Sequence, residues 1–327
     1  MTYPLLEVRN LNVVFPSPRG NIRAVRGVSF ELTQGRSLAL VGESGSGKTT
    51  LALSLVGLLD GSRHSASGEI LHRGVDITRL TESAWRTLRG AKIGMLFQDA
   101  RGALNPVMTV EAHLVEAIRA HQKVSRRRAG ALALRWLGET GFPDPPDYMR
   151  RFPSELSTGL CQRVCLALGI CNGPELLIAD EPASALDPTL QAQIVSLLLR
   201  LKRDHDLTLL LISHDLQLVA GLAERVAVMY HGRIVERGDT AEILSAAAHP
   251  YTRALLACRP DMRTRHEERR LPAIPGIPPP AEADVQGCPF EPRCSHAEGQ
   301  CREAPPPEAT LSSSHSAECW KPLEGPP

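Results

Sequence analysis

The sequence lacks a charge excess of either sign. Lys and Arg number 37 against 36 Asp and Glu, a formal net charge of +1. The broad positive field that holds a protein on phosphate backbones is therefore missing, and nucleic acid is disfavoured as a main partner. Long apolar runs are missing too: Leu176–Ala179 and Leu207–Ile212 fall far short of the roughly 18 residues a membrane-crossing helix needs. The first ten residues carry Glu7 and Arg9 and show no basic start, apolar stretch and small-residue cleavage site of an export signal. The expectation is a cytosolic chain. In such a reducing compartment the eight cysteines are candidates for metal or redox chemistry, or for core packing, before disulfides. Aromatic residues make up only 4%.

What is present is ordinary globular material, with 43% hydrophobic and 22% charged residues, which excludes wholesale disorder and fibrous classes. A length of 327 residues, against roughly 100–200 per domain, points to one large domain with an appendage or to two domains. Extended runs Leu5–Val8, Leu11–Phe15, Val28–Leu32 and Ser37–Val41 open the chain. A glycine-rich loop, a helical pattern over Thr49–Leu59, a Gly/Ser-rich turn and an apolar strand Ile93–Phe97 follow. From about Asp99 to Leu168 the spacing is helical, with Val110–His121 and Arg128–Thr140 on either side of the basic Arg126–Arg128. Strands Leu176–Ala179, Leu207–Ser213, Arg225–Met229 and Arg233–Glu236 then alternate with helices Leu190–Asp204 and Leu216–Leu222. Strand and helix in alternation predict a mostly parallel, buried α/β sheet with a helical insert. Beyond Asp239 a short helical piece, the charged segment Arg263–Arg270 and the proline-rich Pro272–Pro280 lead into a small tail.

Gly42-Glu43-Ser44-Gly45-Ser46-Gly47-Lys48-Thr49 fits G-x-x-x-x-G-K-[ST] in full, after a strand and opening a helix. Its glycines let successive N–H groups converge on phosphate oxygens at a helix N-terminus. Lys48 supplies a cation to the β/γ-phosphates, and the Thr49 hydroxyl is a Mg²⁺ ligand. Leu176-Leu177-Ile178-Ala179-Asp180-Glu181 is an apolar strand ending in two carboxylates, and strand ends are where ligands gather in open α/β sheets. Adjacent residues there point to different sides, so Asp180 is assigned to Mg²⁺ and Glu181 to the attacking water. Alone, Asp-Glu-Pro would read as a solvated turn.

Its company decides otherwise: Leu156-Ser157-Thr158-Gly159-Leu160 upstream, Ser184-Ala185-Leu186-Asp187 downstream, with Gln98 and His214. In this ordered set the sequence from Leu5 to Gly238 closely resembles the ATP-binding subunits of ABC transporters. The resemblance implies that Gln98 senses Mg²⁺ and γ-phosphate while touching the membrane partner, that His214 contacts the γ-phosphate, and that Asp187 lies in a loop bridging two ATPase subunits. It extends the nucleotide set to Gly42, Ser44, Gly45, Ser46, Gly47, Lys48, Thr49, Thr50 and Phe15, the last as an adenine-stacking aromatic that reads equally well as core. Physically, an imidazole near a transferring phosphoryl group can donate to the developing charge. The family's signature reads Leu-Ser-Gly-Gly, and Thr158 replaces its first glycine. Ser157 and Gly159, which the resemblance directs at ATP on the opposite subunit, are retained. A β-branched residue adds bulk and resists positive φ, so Thr158 is expected to weaken that site. An asymmetric heterodimer follows, in which ATP on this chain's own loop turns over against a partner's signature.

Leu104-Asn105-Pro106, Gln191-Ala192-Gln193-Ile194 and His249 through Leu256 look like the oligopeptide/dipeptide importer branch. Its C-terminal extension is matched by Ile274-Pro275-Gly276 and by Gly287-Cys288-Pro289-Phe290-Glu291-Pro292-Arg293-Cys294. Cys288, Cys294, Cys301 and Cys319, with five, six and seventeen residues between them, depart from tight C-x₂-C zinc pairs. Four thiolates can still converge on one centre and cross-link a tail with little core of its own. The resemblance makes a [4Fe-4S] cluster a candidate beside zinc and free thiols, while Cys161, Cys165, Cys171 and Cys258 read as small core residues.

The expected fold is therefore α/β, a P-loop NTPase (RecA-like) core with an N-terminal antiparallel β-subdomain and a helical insert at about 99–168, together spanning 1–245, plus a cysteine-containing extension over 246–327. The resemblance implies an ATPase using ATP and Mg²⁺ to drive peptide import. Its implied partners are a second homologous ATPase subunit, two membrane permeases and, through them, an extracytoplasmic substrate-binding protein, at the cytoplasmic face of the cell membrane. Nickel or metal-chelate import is the alternative, and a non-transport ABC ATPase a remoter one.

Overall fold

The structure, a computed structural model, describes residues 4–18, 20–59, 63–184, 186–258 and 273–326. The charged segment Arg263–Arg270, Pro272 and Ala185 lie outside the described residues. Among the described residues two sheets form, one of four strands and one of eight.

The smaller sheet is antiparallel and combines β1 (Leu6–Phe15), β2 (Ile22–Leu32), β4 (Ser65–His72) and β5 (Val75–Asp76) in the order β2-β1-β4-β5. The sequence reads two extended runs where the structure has one strand, β1. Its register shifts between Val8 and Leu11, and Asn10 takes a left-handed φ of 46°, so the break at Arg9-Asn10 is a bulge that keeps pairing on both sides. The region read as a Gly/Ser-rich turn contains β4, β5 and helix α2 (Glu82–Leu88). The first five residues of β4 are exposed, so an edge strand of small polar residues gives no apolar alternation to read.

The larger sheet carries the site. β3 (Ser37–Val41), which leads through the glycine loop into α1 (Lys48–Leu55), is buried at every position. β6 (Ile93–Leu96), β7 (Leu176–Asp180), β8 (Thr208–Ser213) and β9 (Arg225–Tyr230) run parallel with it in the order β9-β3-β8-β7-β6. Burial on both faces explains why these strands read as continuous apolar runs. Between β6 and β7 stands the helical insert: α3 (Val110–His121), α4 (Arg126–Glu139), α5 (Pro145–Met149) and α6 (Thr158–Ile170). Arg126–Arg128, read as a separator, forms the first turn of α4, because the Ser125 hydroxyl accepts the Arg128 N–H at 3.3 Å and caps the helix. Leu114, Ile118, Ala133 and Leu137 are fully buried where these helices pack. Helices α7 (Pro188–Asp204) and α8 (Leu216–Leu222) complete the α/β alternation. None of the helices in the described residues is long and apolar enough to cross a membrane.

The tail is built into this sheet. Antiparallel β10 (Arg233–Asp239) pairs with β9, then α9 (Thr240–Ala246), α10 (Pro250–Ala257) and α11 (Gln300–Glu303) precede β11 (Glu308–Thr310) and β12 (Ser316–Glu318). β12 pairs with β10 through Glu236 and Arg237, and β11 caps the edge. Glu236, 1% exposed, accepts the Ala248 and His249 N–H groups at 2.6 and 3.1 Å and meets the His315 ring at 2.7 Å. A buried carboxylate satisfied on this scale is a strong local pin, since removing any partner would leave it uncompensated. Tyr230, Tyr251 and Phe290 stack around one another at 4.6–5.4 Å between ring centres. Phe290 is 2% exposed, which stabilises the tail's docking by about 2 kcal/mol.

Candidate nucleotide-binding and hydrolysis site

A cleft of about 640 Å³ opens where β3, β6, β7 and β8 end, the expected ligand position in an open α/β sheet. The glycine loop forms its floor. Gly47 has a φ of 101°, and a Cβ there would press into the Ala24 carbonyl oxygen; Gly42 is likewise backed by the Met229 carbonyl. Both positions need glycine for conformation and for space. Lys48, 7% exposed, donates to Gly42 O at 2.8 Å, Glu43 O at 2.9 Å and the Ser46 hydroxyl at 3.3 Å. Burial pushes its pKa down, and Glu181, Asp180 and Glu43 pull it back up. The ammonium thus waits inside the loop, satisfied by oxygens that a phosphate can replace. Gly45, Thr49 and Thr50 also line the cleft, as do Ser44 and Gln98, while Ser46 reaches it through Lys48.

Asp180 ends β7 at 2% exposure, and its Oδ1 is buried with no hydrogen-bond partner. Burial raises its pKa, opposed by a hydrogen bond with the Thr49 side chain. An orphaned carboxylate oxygen beside a threonine hydroxyl is a hard-oxygen donor set, and it fits Mg²⁺. Glu181 follows with a left-handed φ of 49°, its N–H donating to Ile212 O at 2.9 Å. That conformation costs on the order of 1 kcal/mol for a non-glycine residue, and the Glu181 side chain lines the cleft. Its Oε1 meets His214 Nδ1 at 2.8 Å. Gln98, exposed at the end of β6, borders the same cleft.

Phe15 stands outside the residues lining this cleft. It is half-buried against the β-subdomain core, 6.0 Å from the His64 ring. Ile22, Arg23 and Ala24 line the cleft in its place. Ser157, Gly159 and Asp187 also lie outside it, at the starts of α6 and α7. The Ser157 hydroxyl caps α6, and Asp187 caps α7 by accepting Thr189 and Leu190 N–H at 3.0 Å. A Cβ on Gly159 would come 3.3 Å from Leu190. Thr158 is the first helical residue of α6, without positive φ. The expected conformational conflict is absent, because a helical position asks nothing special of a β-branched residue beyond room for its bulk.

Spacing gave no hint of several contributors. Gln162 on α6, 4% exposed, donates to Pro182 O at 2.7 Å and ties the signature helix to the segment just after Glu181. The Tyr251 hydroxyl accepts the Glu43 N–H at 2.8 Å. His231, on the β9–β10 turn, borders the cleft with a pKa lowered to about 4 by burial.

In the tail, Cys288, Cys294, Cys301 and Cys319 border one cavity with His249, Phe290 and Trp320. Burial raises the Cys288 thiol to about 11 and pushes Cys294 and Cys319 upward. Among the described residues no three His, Cys, Asp or Glu side chains stand at metal-holding spacing. The expected iron–sulfur or zinc centre finds its soft donors gathered, but not in ligand geometry. Cys161, Cys165 and Cys171 are buried, and Cys258 half-buried.

The ABC transporter family matches residues 25–184, and the oligopeptide/dipeptide transporter, C-terminal region, matches residues 235–301. Over 317 residues the chain is 41% identical to the dipeptide transport ATP-binding protein DppD of Bacillus subtilis, covering 97% of this chain and 94% of that protein. This chain belongs to the ABC transporter ATP-binding family, in its oligopeptide/dipeptide branch. The oligopeptide transport ATP-binding protein OppD of Salmonella typhimurium is 41% identical over 320 residues, 98% of this chain and 94% of that one. Among solved structures, the dimeric post-hydrolysis state of the ATP-binding cassette MJ0796 bound to ADP and Pi matches with a TM-score of 0.64 at 25% identity, over 72% of this chain and 98% of that chain. The fold is thus that of an ABC ATPase cassette.

Proposed function

We propose that this chain is the ATP-binding and ATP-hydrolysing subunit of an ABC importer for dipeptides or oligopeptides. One observation carries the chemistry: Lys48, Thr49, Gln98, Glu181 and His214 share a single cleft, with the orphaned Asp180 carboxylate beside it. On binding, phosphate oxygens take over the Lys48 ammonium from the loop carbonyls, and the loop's N–H groups supply the remaining donors. Asp180, Thr49 and Gln98 would hold Mg²⁺, which when bound neutralises charge on the β- and γ-phosphates. Glu181 accepts the proton of the attacking water. A neutral His214 ring that donates from Nδ1 to Glu181 presents only an acceptor at Nε2. Donation to a phosphate therefore requires a second proton or release from Glu181, which links the state of the histidine to that of the base.

Two such subunits face each other, and Ser157, Gly159 and Asp187 of this chain meet ATP held by the partner ATPase. Thr158 makes that composite site the slower one in a heterodimer. Two membrane permeases, served by an extracytoplasmic substrate-binding protein, carry the path, and the ATPase sits at the cytoplasmic face of the membrane. The peptide cargo follows from the relatives' transport of dipeptides and oligopeptides. The test is ATP-driven uptake in vesicles holding the whole complex, with short peptides and chelated nickel compared. Peptide uptake that needs Mg-ATP supports the reading, and nickel uptake alone overturns the cargo. We further propose a thiolate-bound centre, a [4Fe-4S] cluster first, in the shared cavity of the four tail cysteines, for which the thiols must close from their present spacing into ligand geometry. Anaerobically purified protein without iron, sulfide or zinc would refute it.

A further inference from the structure

Glu43 is a misfit in its loop. It lies within the anion-binding turn, lines the cleft, and its carboxylate acts electrostatically on Lys48. A bare carboxylate there would repel the triphosphate that the turn is built to hold. The structure shows what answers it. Arg293, 250 residues away in the tail, spans the Glu43 carboxylate in a two-point ion pair, Nη1 to Oε2 at 2.7 Å and Nη2 to Oε1 at 2.9 Å. Its side chain is 3% exposed and that of Glu43 27%.

The guanidinium is fixed from every other side. Nε donates to Pro275 O at 2.9 Å, Nη2 to Ile274 O at 3.4 Å and Nη1 to the Tyr230 hydroxyl at 3.3 Å. Tyr230 and Phe290 lie 5.8 Å from its central carbon. Glu43 raises the Arg293 pKa through the shared hydrogen bonds, against burial. The backbone on the other side of Glu43 is held as well, by the Tyr251 hydroxyl, while the Glu43 carbonyl accepts from Lys48.

We propose that Arg293 is a positioning residue for ATP: it neutralises and immobilises Glu43, so that the loop presents net positive potential to the phosphates. The tail thereby becomes part of the nucleotide site. The inference rests on the ATPase reading above and adds to it the residue through which the extension acts. Because the pair is short, bidentate and largely out of water, its loss is felt locally and screened little by salt. It acts on binding, since the hydrogen bonds of both residues run to the glycine loop, Tyr230, Tyr251 and the tail backbone and none to Glu181.

The test uses the full chain assembled with its permeases and partner ATPase, and compares wild type, Arg293→Gln, Arg293→Lys, Glu43→Gln and the double variant Arg293→Gln/Glu43→Gln. Mg-ATP affinity, KM and kcat are read for each. Arg293→Gln is expected to raise Kd and KM about tenfold with kcat nearly unchanged, a difference of about 1.4 kcal/mol. Arg293→Lys keeps the charge and recovers most of the affinity. Glu43→Gln binds at least as well as wild type, because the repelling charge is gone. Removing it from the Arg293→Gln protein restores affinity, which a purely structural role for Arg293 would not allow. Should Arg293→Gln not fold, Arg293→Lys and Glu43→Gln still decide. A Glu43→Gln protein that loses affinity tenfold, or a double variant as weak as Arg293→Gln, overturns the proposal. Wild-type protein that binds no Mg-ATP overturns the ATPase reading itself.

Discussion

Asp180→Asn should produce a protein that is more stable alone and less stable with its ligand. The substitution keeps the shape of the side chain at the end of β7 and removes its charge. In the wild-type chain Asp180 is 2% exposed, and Oδ1 has no partner. An unsatisfied buried polar group costs about 1–3 kcal/mol, and more when charged. Relief of about 1–2 kcal/mol raises the melting temperature by roughly 2–4 °C in a chain of this size. With Mg-ATP at a hundred times its Kd, the wild type gains about 2.7 kcal/mol. The Asn variant forgoes the part of that gain that depends on magnesium, so the order of stabilities reverses. Differential scanning calorimetry of both proteins, with and without Mg-ATP, reads all four values. The pH dependence has a definite sign. Burial raises the folded-state pKa of Asp180 above the usual aspartate range. The cost of the charge is therefore fully present at neutral pH and fades as pH falls through that raised value, where the folded state takes up the proton. The advantage of Asn shrinks over the same range. A variant that is less stable than wild type without ligand at pH 7, or one stabilised as much by Mg-ATP, would refute the reasoning.

Glu181→Gln should bind Mg-ATP with nearly unchanged affinity and lose hydrolysis by roughly a hundredfold or more, as single-turnover assays will read; unchanged turnover removes Glu181 from the role of base. Gly47→Ala should lose ATP affinity by about tenfold or more, because the φ of 101° costs an alanine on the order of 1–2 kcal/mol and its Cβ presses on the Ala24 carbonyl. Equilibrium dialysis with labelled ATP checks this, and wild-type affinity would show that the loop has room the structure denies it. Thr158→Gly should leave turnover at this chain's own loop unchanged, since Thr158 lies outside that cleft, and raise hydrolysis at the partner's. Site-resolved turnover reads the two separately, the partner's site with Glu181 removed and this chain's own site with the partner's base removed, and no rise at the partner's site would refute the role of Thr158.

What was legible in the sequence is what is contiguous in it. The glycine loop, the strand ending at Asp180-Glu181 and the histidine at the end of the next strand are local patterns, and the parallel order of β3, β7 and β8 brings them to one edge without further instruction. The bulge at Asn10 and the exposed edge strand β4 escaped because an irregular register and a polar run both erase periodicity. Phe15 stays ambiguous for a different reason: an aromatic in a strand satisfies a core and a base-stacking site equally, and its half-buried packing at the edge of the β-subdomain core is compatible with both.

The harder loss was long-range pairing. Arg293 is written next to Cys294 and invites a reading as part of a metal motif, yet its charge is spent on a residue of the glycine loop. The same is true of Glu236, whose buried carboxylate joins β10 to His315 of the tail. These contacts make the extension a continuation of the ATPase sheet, through the β10–β12 pairing and the Tyr230, Tyr251 and Phe290 cluster. A tail with few apolar residues gains its order from a surface already folded, which explains how Pro- and Cys-rich sequence can hold a guanidinium within hydrogen-bond reach of the phosphate loop. Phe290 borders the four-cysteine cavity on one side and lies 5.8 Å from the central carbon of the Arg293 guanidinium on the other, so the two features of the tail share one wall.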